Sequence, residues 1–163
     1  MKEIIVDSVR WITRKDISKI VRINHFNSPH WSYDEILNNL KQKHCYGFLA
    51  EYQDKIVGFA IYEVDKQYIH VINLSVHPDF RRTGIGSQLL AILLDKLGTK
   101  RRIIDFIINE RHIDFQLFLK TNGFKATEIL RKYFNKDDAY VMNFQVEECE
   151  DEQNRVLLQR GRC

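Results

Sequence analysis

The chain has 163 residues, 44% of them hydrophobic and 29% charged, with 2 prolines, 7 glycines and a formal net charge of +3. This is the composition of one ordinary globular domain, and its weak, scattered positive charge excludes a nucleic-acid grip built on a dense basic face. No apolar run reaches the roughly 18 residues of a membrane span, no signal-peptide pattern opens the chain, Cys45, Cys149 and Cys163 form no CxxC, and the six histidines have no HxxxH or HExxH spacing, so a cytoplasmic protein with free thiols, no membrane partner and no metal is expected.

In chain order, the β-branched alternation of residues 3–12 predicts a strand. Ile17, Ile20, Val21 and Asn24 recur at helical spacing and predict a helix over 15–25, with Asp16 near its start. Residues 26–31 read as a loop. Ser32-Tyr33-Asp34-Glu35 has the form of a capping box, opening a helix whose apolar face carries Ile36, Leu37 and Leu40. Residues 45–51, 55–64 and 68–76 predict an antiparallel meander with tight polar turns at 52–54 and 65–67. Pro78 ends it, since proline cannot continue a central strand. Residues 84–97 predict the strongest helix, with Ile85, Leu89, Ile92 and Leu93 at helical intervals and Gly98 as the residue just past its end. A buried strand follows over 102–108, then a helix over 112–121 with Phe115, Leu117, Phe118 and Leu119 turned inward and a stop near Asn122-Gly123. Two strands, 124–134 and 139–146, close the pattern around a turn at 135–138.

The order β-α-α-β-β-β-α-β-α-β-β predicts an α+β domain over residues 1–146, a mixed and mostly antiparallel sheet flanked by helices. From Glu147 the chain is acidic and then basic; residues 147–163 read as a charged, solvated tail, the alternative being a partner-binding or dimer-forming segment. A monomer or a homodimer fits either reading.

Chemistry concentrates at Arg81-Arg82-Thr83-Gly84-Ile85-Gly86-Ser87. A strand precedes this segment and a helix begins inside it. Glycines let the backbone turn tightly and approach a ligand. The unbonded N–H groups and positive dipole of a helix start favour an anion, and a pyrophosphate fits. The segment is not a P-loop, because no lysine follows Gly86. It is not a dinucleotide fingerprint, because Leu89 stands where a third glycine would be and the preceding strands form a meander.

Arg81-x-x-Gly84-x-Gly86 matches the R/Q-x-x-G-x-G/A motif, and the chain here resembles the GNAT superfamily of N-acetyltransferases. The resemblance extends to Leu74-Ser75-Val76-His77-Pro78, to Phe118-x-x-x-x-Gly123-Phe124, and over about residues 3–146. Pro29-His30-Trp31-Ser32 and Arg131-Lys132-Tyr133-Phe134…Asp138-Ala139-Tyr140-Val141-Met142 resemble the RimI type, which acetylates protein N-termini. The resemblance implies a GNAT fold and acetyl-CoA as co-substrate, with no metal. It implies that the backbone of Arg82, Thr83, Gly84, Ile85, Gly86 and Ser87, beside Arg81, holds the pyrophosphate. Leu74, Ser75 and Val76 would pair through their backbone with the pantetheine arm and polarise the thioester carbonyl. An amine acceptor, a protein N-terminus or a small amine, would attack directly between Pro29, Trp31 and Tyr133. Lysine or small-molecule acetylation, and a degenerate acyl-CoA sensor, are the alternatives.

The sequence departs from the RimI pattern at the acid and base. The usual Glu and Tyr positions carry Ile107 and Leu119, an Asn position carries His112, and an acidic position in the first helix carries Asn24. His70, six residues before Val76 on the strand where related enzymes keep a Glu or Tyr base, titrates near neutrality and is the leading candidate base. His112 and Tyr133 are weaker candidates; His112 also suits a helix cap or a CoA contact. Asp105 reads as a charge at a strand end. Alternatively no strong base is needed: an α-amine with a pKa near 8 is partly neutral at pH 7, whereas a lysine near 10.4 is not.

Overall fold

In the computed structural model, which describes residues 2–24 and 30–146, the chain runs β1 (Ser8–Trp11), α1 (Ile17–Asn24), α2 (Tyr33–Lys41), β2 (Cys45–Tyr52), β3 (Lys55–Val64), β4 (Tyr68–Val76), α3 (Ile85–Leu94), β5 (Ile103–Asn109), α4 (Ile113–Thr121), β6 (Lys125–Phe134) and β7 (Asp137–Gln145). The predicted α+β order is present. One seven-stranded sheet has the order β1-β2-β3-β4-β5-β7-β6. Every pairing is antiparallel except β4 with β5, which is parallel.

Two cores lie on opposite faces of the sheet. Ile85, Leu89, Leu90 and Leu93 of α3 pack with Ile69, Val71, Phe106, Ile108, Leu119 and Phe124 on one face. Ile17, Ile20 and Ile23 of α1 and Ile36 of α2 pack with Leu49, Phe59 and Ile61 on the other. The capping box at Ser32 forms as predicted: Ser32 Oγ accepts from the Glu35 N–H, and Glu35 accepts from the Ser32 N–H at 2.7 Å. The turn before α1 is held more firmly. Asp16, 6% exposed, accepts from the Thr13 N–H and hydroxyl and from both terminal nitrogens of Arg10, which also reaches Glu51.

These bonds hold the Asp16 carboxyl well below the usual carboxylate range, the Arg10 hydrogen bond being the largest cause. A depressed folded pKa contributes stability above the unfolded value, lost as pH falls toward the folded one. Asp16→Asn is therefore expected to lower stability by about 2 kcal/mol at pH 7, since hydrogen bonds to a charged group are worth roughly 1.5–3 kcal/mol each. Urea unfolding should show that deficit shrinking as pH is lowered below about 4.

Four sequence expectations change. Only Ser8–Trp11 of the first predicted strand is regular; before it, the Ile4 N–H bonds the Thr83 carbonyl and Gln88 takes up Ile4 and Val6, so the segment is tied to the start of α3 instead of a strand partner. The α3 helix ends at Leu94, and the Gly98 N–H bonds the Arg101 carbonyl within the turn to β5. Leu117 is 56% exposed while Phe115 and Phe118 stack inward, because a helical face cannot hold three successive inward positions. The last turn is tighter than residues 135–138, since Phe134 already pairs with Asp137. Pro29 and the tail over 147–163 lie outside the described residues.

Candidate active site

β4 and β5 pair at only three positions, Tyr68 with Ile103, Ile69 with Ile104 and His70 with Asp105. Beyond them the strands part. β5 remains bonded to β7 along Ile103–Asn109. β4 follows β3, with one extra residue, Ile72, between the pairs Val71–Tyr62 and Asn73–Ile61. Such a bulge bends its strand and re-aims the side chains after it. The gap is a cleft of about 760 Å³. Its wall includes Val71, Leu74 and Phe106 from the core under α3 and α4, and Ile72 from the core under α1 and α2. The opening therefore passes through the plane of the sheet.

One end of the cleft meets the predicted anion turn. Arg81 lines it and donates through Nε to the Val76 carbonyl at 3.3 Å. Arg82 and Gly84 both take the left-handed conformation, with φ of 63° and 86°. The Gly84 carbonyl accepts the first bond of α3, from the Gln88 N–H at 3.1 Å, so the amides of Ile85, Gly86 and Ser87 precede any intrahelical acceptor. The Thr83 hydroxyl donates to the Phe80 carbonyl at 2.6 Å and closes the turn.

The α1 side of the cleft carries uncharged polar groups. The Asn73 side-chain amide donates to Asn24 Oδ1 at 2.9 Å, and the Ser75 hydroxyl donates to Asn73 Oδ1 at 2.7 Å. Asn24 and Ser75 are buried and all three residues line the cleft. His30, Arg111, His112, Asp114 and Phe134 complete its polar and aromatic rim. His112 stands at the N-cap of α4.

Of the residues singled out in the sequence, Asn24, His30, Leu74, Ser75, Arg81, Ile107 and His112 line the cleft. His70 is not among the lining residues; it stands one residue before Val71, in the last β4–β5 pair, with Nδ1 bonded to Asp105. That hydrogen bond raises the His70 pKa above its ordinary value, against the opposing effect of burial. Asp105 is thus a partner of His70, not an isolated charge. Trp31 packs with the α1–α2 core. Tyr133 is 53% exposed and sits edge-on to Phe134, and it is the Phe134 ring that reaches the cleft wall. Asn73 was not singled out; its only sequence signal is the break in alternation at Val71-Ile72-Asn73.

Residues 10–124 match the model of the acetyltransferase (GNAT) family. The chain belongs to that family. Among curated relatives, the N-alpha-acetyltransferase of Sulfurisphaera tokodaii is 25% identical over 144 residues, covering 78% of this chain and 86% of the relative. The [ribosomal protein bS18]-alanine N-acetyltransferase of Escherichia coli is 27% identical over 118 residues, covering 69% and 78%. The crystal structure of the ribosomal-protein-S18-alanine N-acetyltransferase from Escherichia coli shares the fold, with a TM-score of 0.77 at 21% identity over 88% of this chain and 96% of that one. The protein is a GNAT N-acetyltransferase, and it is similar to the RimI-type enzymes that the sequence suggested. Among the described residues no cluster of His, Cys, Asp and Glu has the form of a metal site, and no helix is long and apolar enough to cross a membrane.

Proposed function

We propose that this protein transfers the acetyl group of acetyl-CoA to the α-amino group of a protein N-terminus. The observation that carries the proposal is the cleft itself, open through the sheet with an anion turn at one end and a neutral hydrogen-bonding wall on the α1 side. The names of the relatives add the acceptor class.

The chain's residues fit the co-substrate. Backbone amides from Arg82 to Ser87, with Arg81 beside them, suit a pyrophosphate. The edge of β4 that faces away from β3 is unpaired with β5 from Val71 onward, so the backbone of Leu74, Ser75 and Val76 is available to an extended arm and to a carbonyl oxygen. Acetyl-CoA, when bound, supplies the activated acyl group as a thioester. The acceptor reaches the cleft from the α1 side, past His30 and the hairpin carrying Tyr133 and Phe134. His70, with Nδ1 held by Asp105, keeps its other ring nitrogen for the proton that the amine sheds.

The direct test incubates the protein with acetyl-CoA and two peptide sets, one with free N-termini and one with blocked N-termini and internal lysines, followed by mass spectrometry. Acetylation confined to free N-termini is expected. Acetylation of lysines or polyamines instead would overturn the acceptor assignment. The anion turn has its own check. An alanine at Gly84 would hold a side chain in the left-handed region, at a cost of about 1–2 kcal/mol, and its Cβ would meet the Glu3 side chain at 3.2 Å. Gly84→Ala is expected to weaken acetyl-CoA binding about tenfold by calorimetric titration, a change of ~1.4 kcal/mol.

A further inference from the structure

We infer that Asn73 recognises the acceptor as an α-amine, its Oδ1 taking an N–H of the amine and its Nδ2 the carbonyl oxygen of the same amino-acid residue. The inference rests on the proposed acceptor, a protein N-terminus, and names the group that would select it.

The first ground is placement. Asn73 pairs with Ile61, whose side chain belongs to the core under α1 and α2, and the bulge at Ile72 sets the strand so that Asn73 lines the cleft on that side. The second is fixed orientation. One end of its carboxamide is bonded to Asn24 at the end of α1 and the other to Ser75 two residues along β4. Asn24 is 1% exposed and Ser75 3%, so both anchors are held by packing. A carboxamide anchored at both ends presents its remaining functions in one plane and one direction. The third is valence. An Asn side chain has two N–H donors and two acceptor positions, and each anchor uses one, leaving one donor and one acceptor in the same plane.

That pair is complementary to the amine nitrogen and carbonyl oxygen of an N-terminal residue, which lie close together across one Cα. A lysine ε-amine has no carbonyl near its nitrogen and can make only the first contact. Charge works in the same direction. Asn24, Asn73 and Ser75 are all neutral, so this wall supplies no counter-charge to an ammonium. An α-amine is partly neutral at pH 7, whereas an ε-amine has to give up its proton almost completely first. A half-buried donor left without its carbonyl discriminates against the wrong acceptor in the way a site built for a polar group rejects the analogue lacking it.

The test compares glycinamide with propargylamine, a carbonyl-free primary amine of similar basicity, in the wild type, Asn73→Ala and Asn24→Ala, alongside a peptide with a free N-terminus. Wild type is expected to favour glycinamide in kcat/KM by about tenfold or more. Asn73→Ala should lose at least tenfold more on glycinamide and on the peptide than on propargylamine, which loses only the amine contact. Asn24→Ala keeps the carboxamide but releases one anchor, and should narrow the preference to a lesser extent. Equal losses on both amines would mean a structural role and overturn the inference, as would an Asn73→Ala enzyme that keeps the wild-type preference or a wild type with no preference. A wild type that acetylates lysine peptides or polyamines but no N-terminus overturns the acceptor reading and this inference with it; N-terminal acetylation with an unchanged preference in Asn73→Ala overturns the inference alone.

Discussion

Replacing His70 by glutamine is expected to lower kcat about 100-fold and to flatten the acidic limb of the pH–rate profile, the lower end of the range for losing a general base. The expectation rests on a sidedness that neither strand shows alone. His70 and Asp105 are directly paired at the last contact before β4 and β5 part, so His70 borders the cleft without lining it, and the alternation of the strand turns it to the α1 side, opposite Val71. Asp105 holds Nδ1, which leaves Nε2 as the ring nitrogen able to accept a proton. The His70 pKa is raised, chiefly by the Asp105 hydrogen bond, so the neutral form needed in a base accumulates only above about 6.5, the ordinary histidine value. The rate should therefore climb with pH through the raised value. Asp105→Asn removes the largest cause of the shift, and should move the limb to lower pH while cutting the plateau through lost orientation. Stability runs the other way. A raised folded pKa contributes stability that is fully present below about 6.5 and lost as pH rises through the folded value, so the pair clasps the strands most firmly where the base is least active. Profiles of kcat/KM for wild type, His70→Gln and Asp105→Asn against one N-terminal peptide decide the matter. A His70→Gln enzyme at full rate removes His70 from the chemistry and favours an amine that needs no base.

The two halves of the site differ in how far the sequence reveals them. The anion turn is a local object. Its chemistry needs a strand end, a left-handed turn and a helix start in succession, so Arg81, Gly84 and Gly86 sit within six residues and carry a readable spacing. The acceptor wall is assembled from α1, β4, β5 and the β6–β7 hairpin, and its members acquire meaning only from register. Asp105 looks like a terminal charge until the parallel pairing places it beside His70. Asn73 breaks the strand alternation, but whether that marks a bulge depends on β3, which lacks a matching extra residue. The hairpin shows the same limit on a smaller scale. A second irregularity between Leu130 and Phe134 decides which aromatic meets the cleft, and residue type alone favours neither Tyr133 nor Phe134. Helix termini set by side-chain chemistry, such as Ser32 with Glu35, were legible, whereas the end of α3 was not, because Gly98 serves the following turn.

Substituting Gly58 is expected to damage both stability and acetyl-CoA binding, for reasons that join the fold to the anion turn. Gly58 lies on β3 opposite Val76, under α3. A Cβ there would stand 2.9 Å from Leu89 Cδ1, 3.0 Å from the Ser75 carbonyl oxygen and 3.4 Å from Ile85 Cγ2. Leu89 is fully buried and has little room to swing away. The Ser75 carbonyl is main chain of β4 at the cleft and cannot yield without moving the strand. Overpacking of this kind costs roughly 1–3 kcal/mol, so Gly58→Ala is expected near 2 kcal/mol, with Gly58→Val at or above the top of that range. Gly47 supplies the control. Its Cβ would approach Ile12 Cδ1 at 2.7 Å, closer than any contact at Gly58, and Leu40 Cδ2 at 2.9 Å, but both are the ends of side chains that are only partly buried. Gly47→Ala should therefore cost less than about 1 kcal/mol, below the usual overpacking range. Because relief at Gly58 requires α3 or β4 to shift, Gly58→Ala should also weaken acetyl-CoA binding at a temperature where it is still folded, and Gly47→Ala should not. Urea unfolding and acetyl-CoA titration of the two variants read both effects. Equal destabilisation at the two glycines, or undiminished binding by a destabilised Gly58→Ala, would mean that the seat of α3 on β3 and β4 does not set the geometry of the turn at its head.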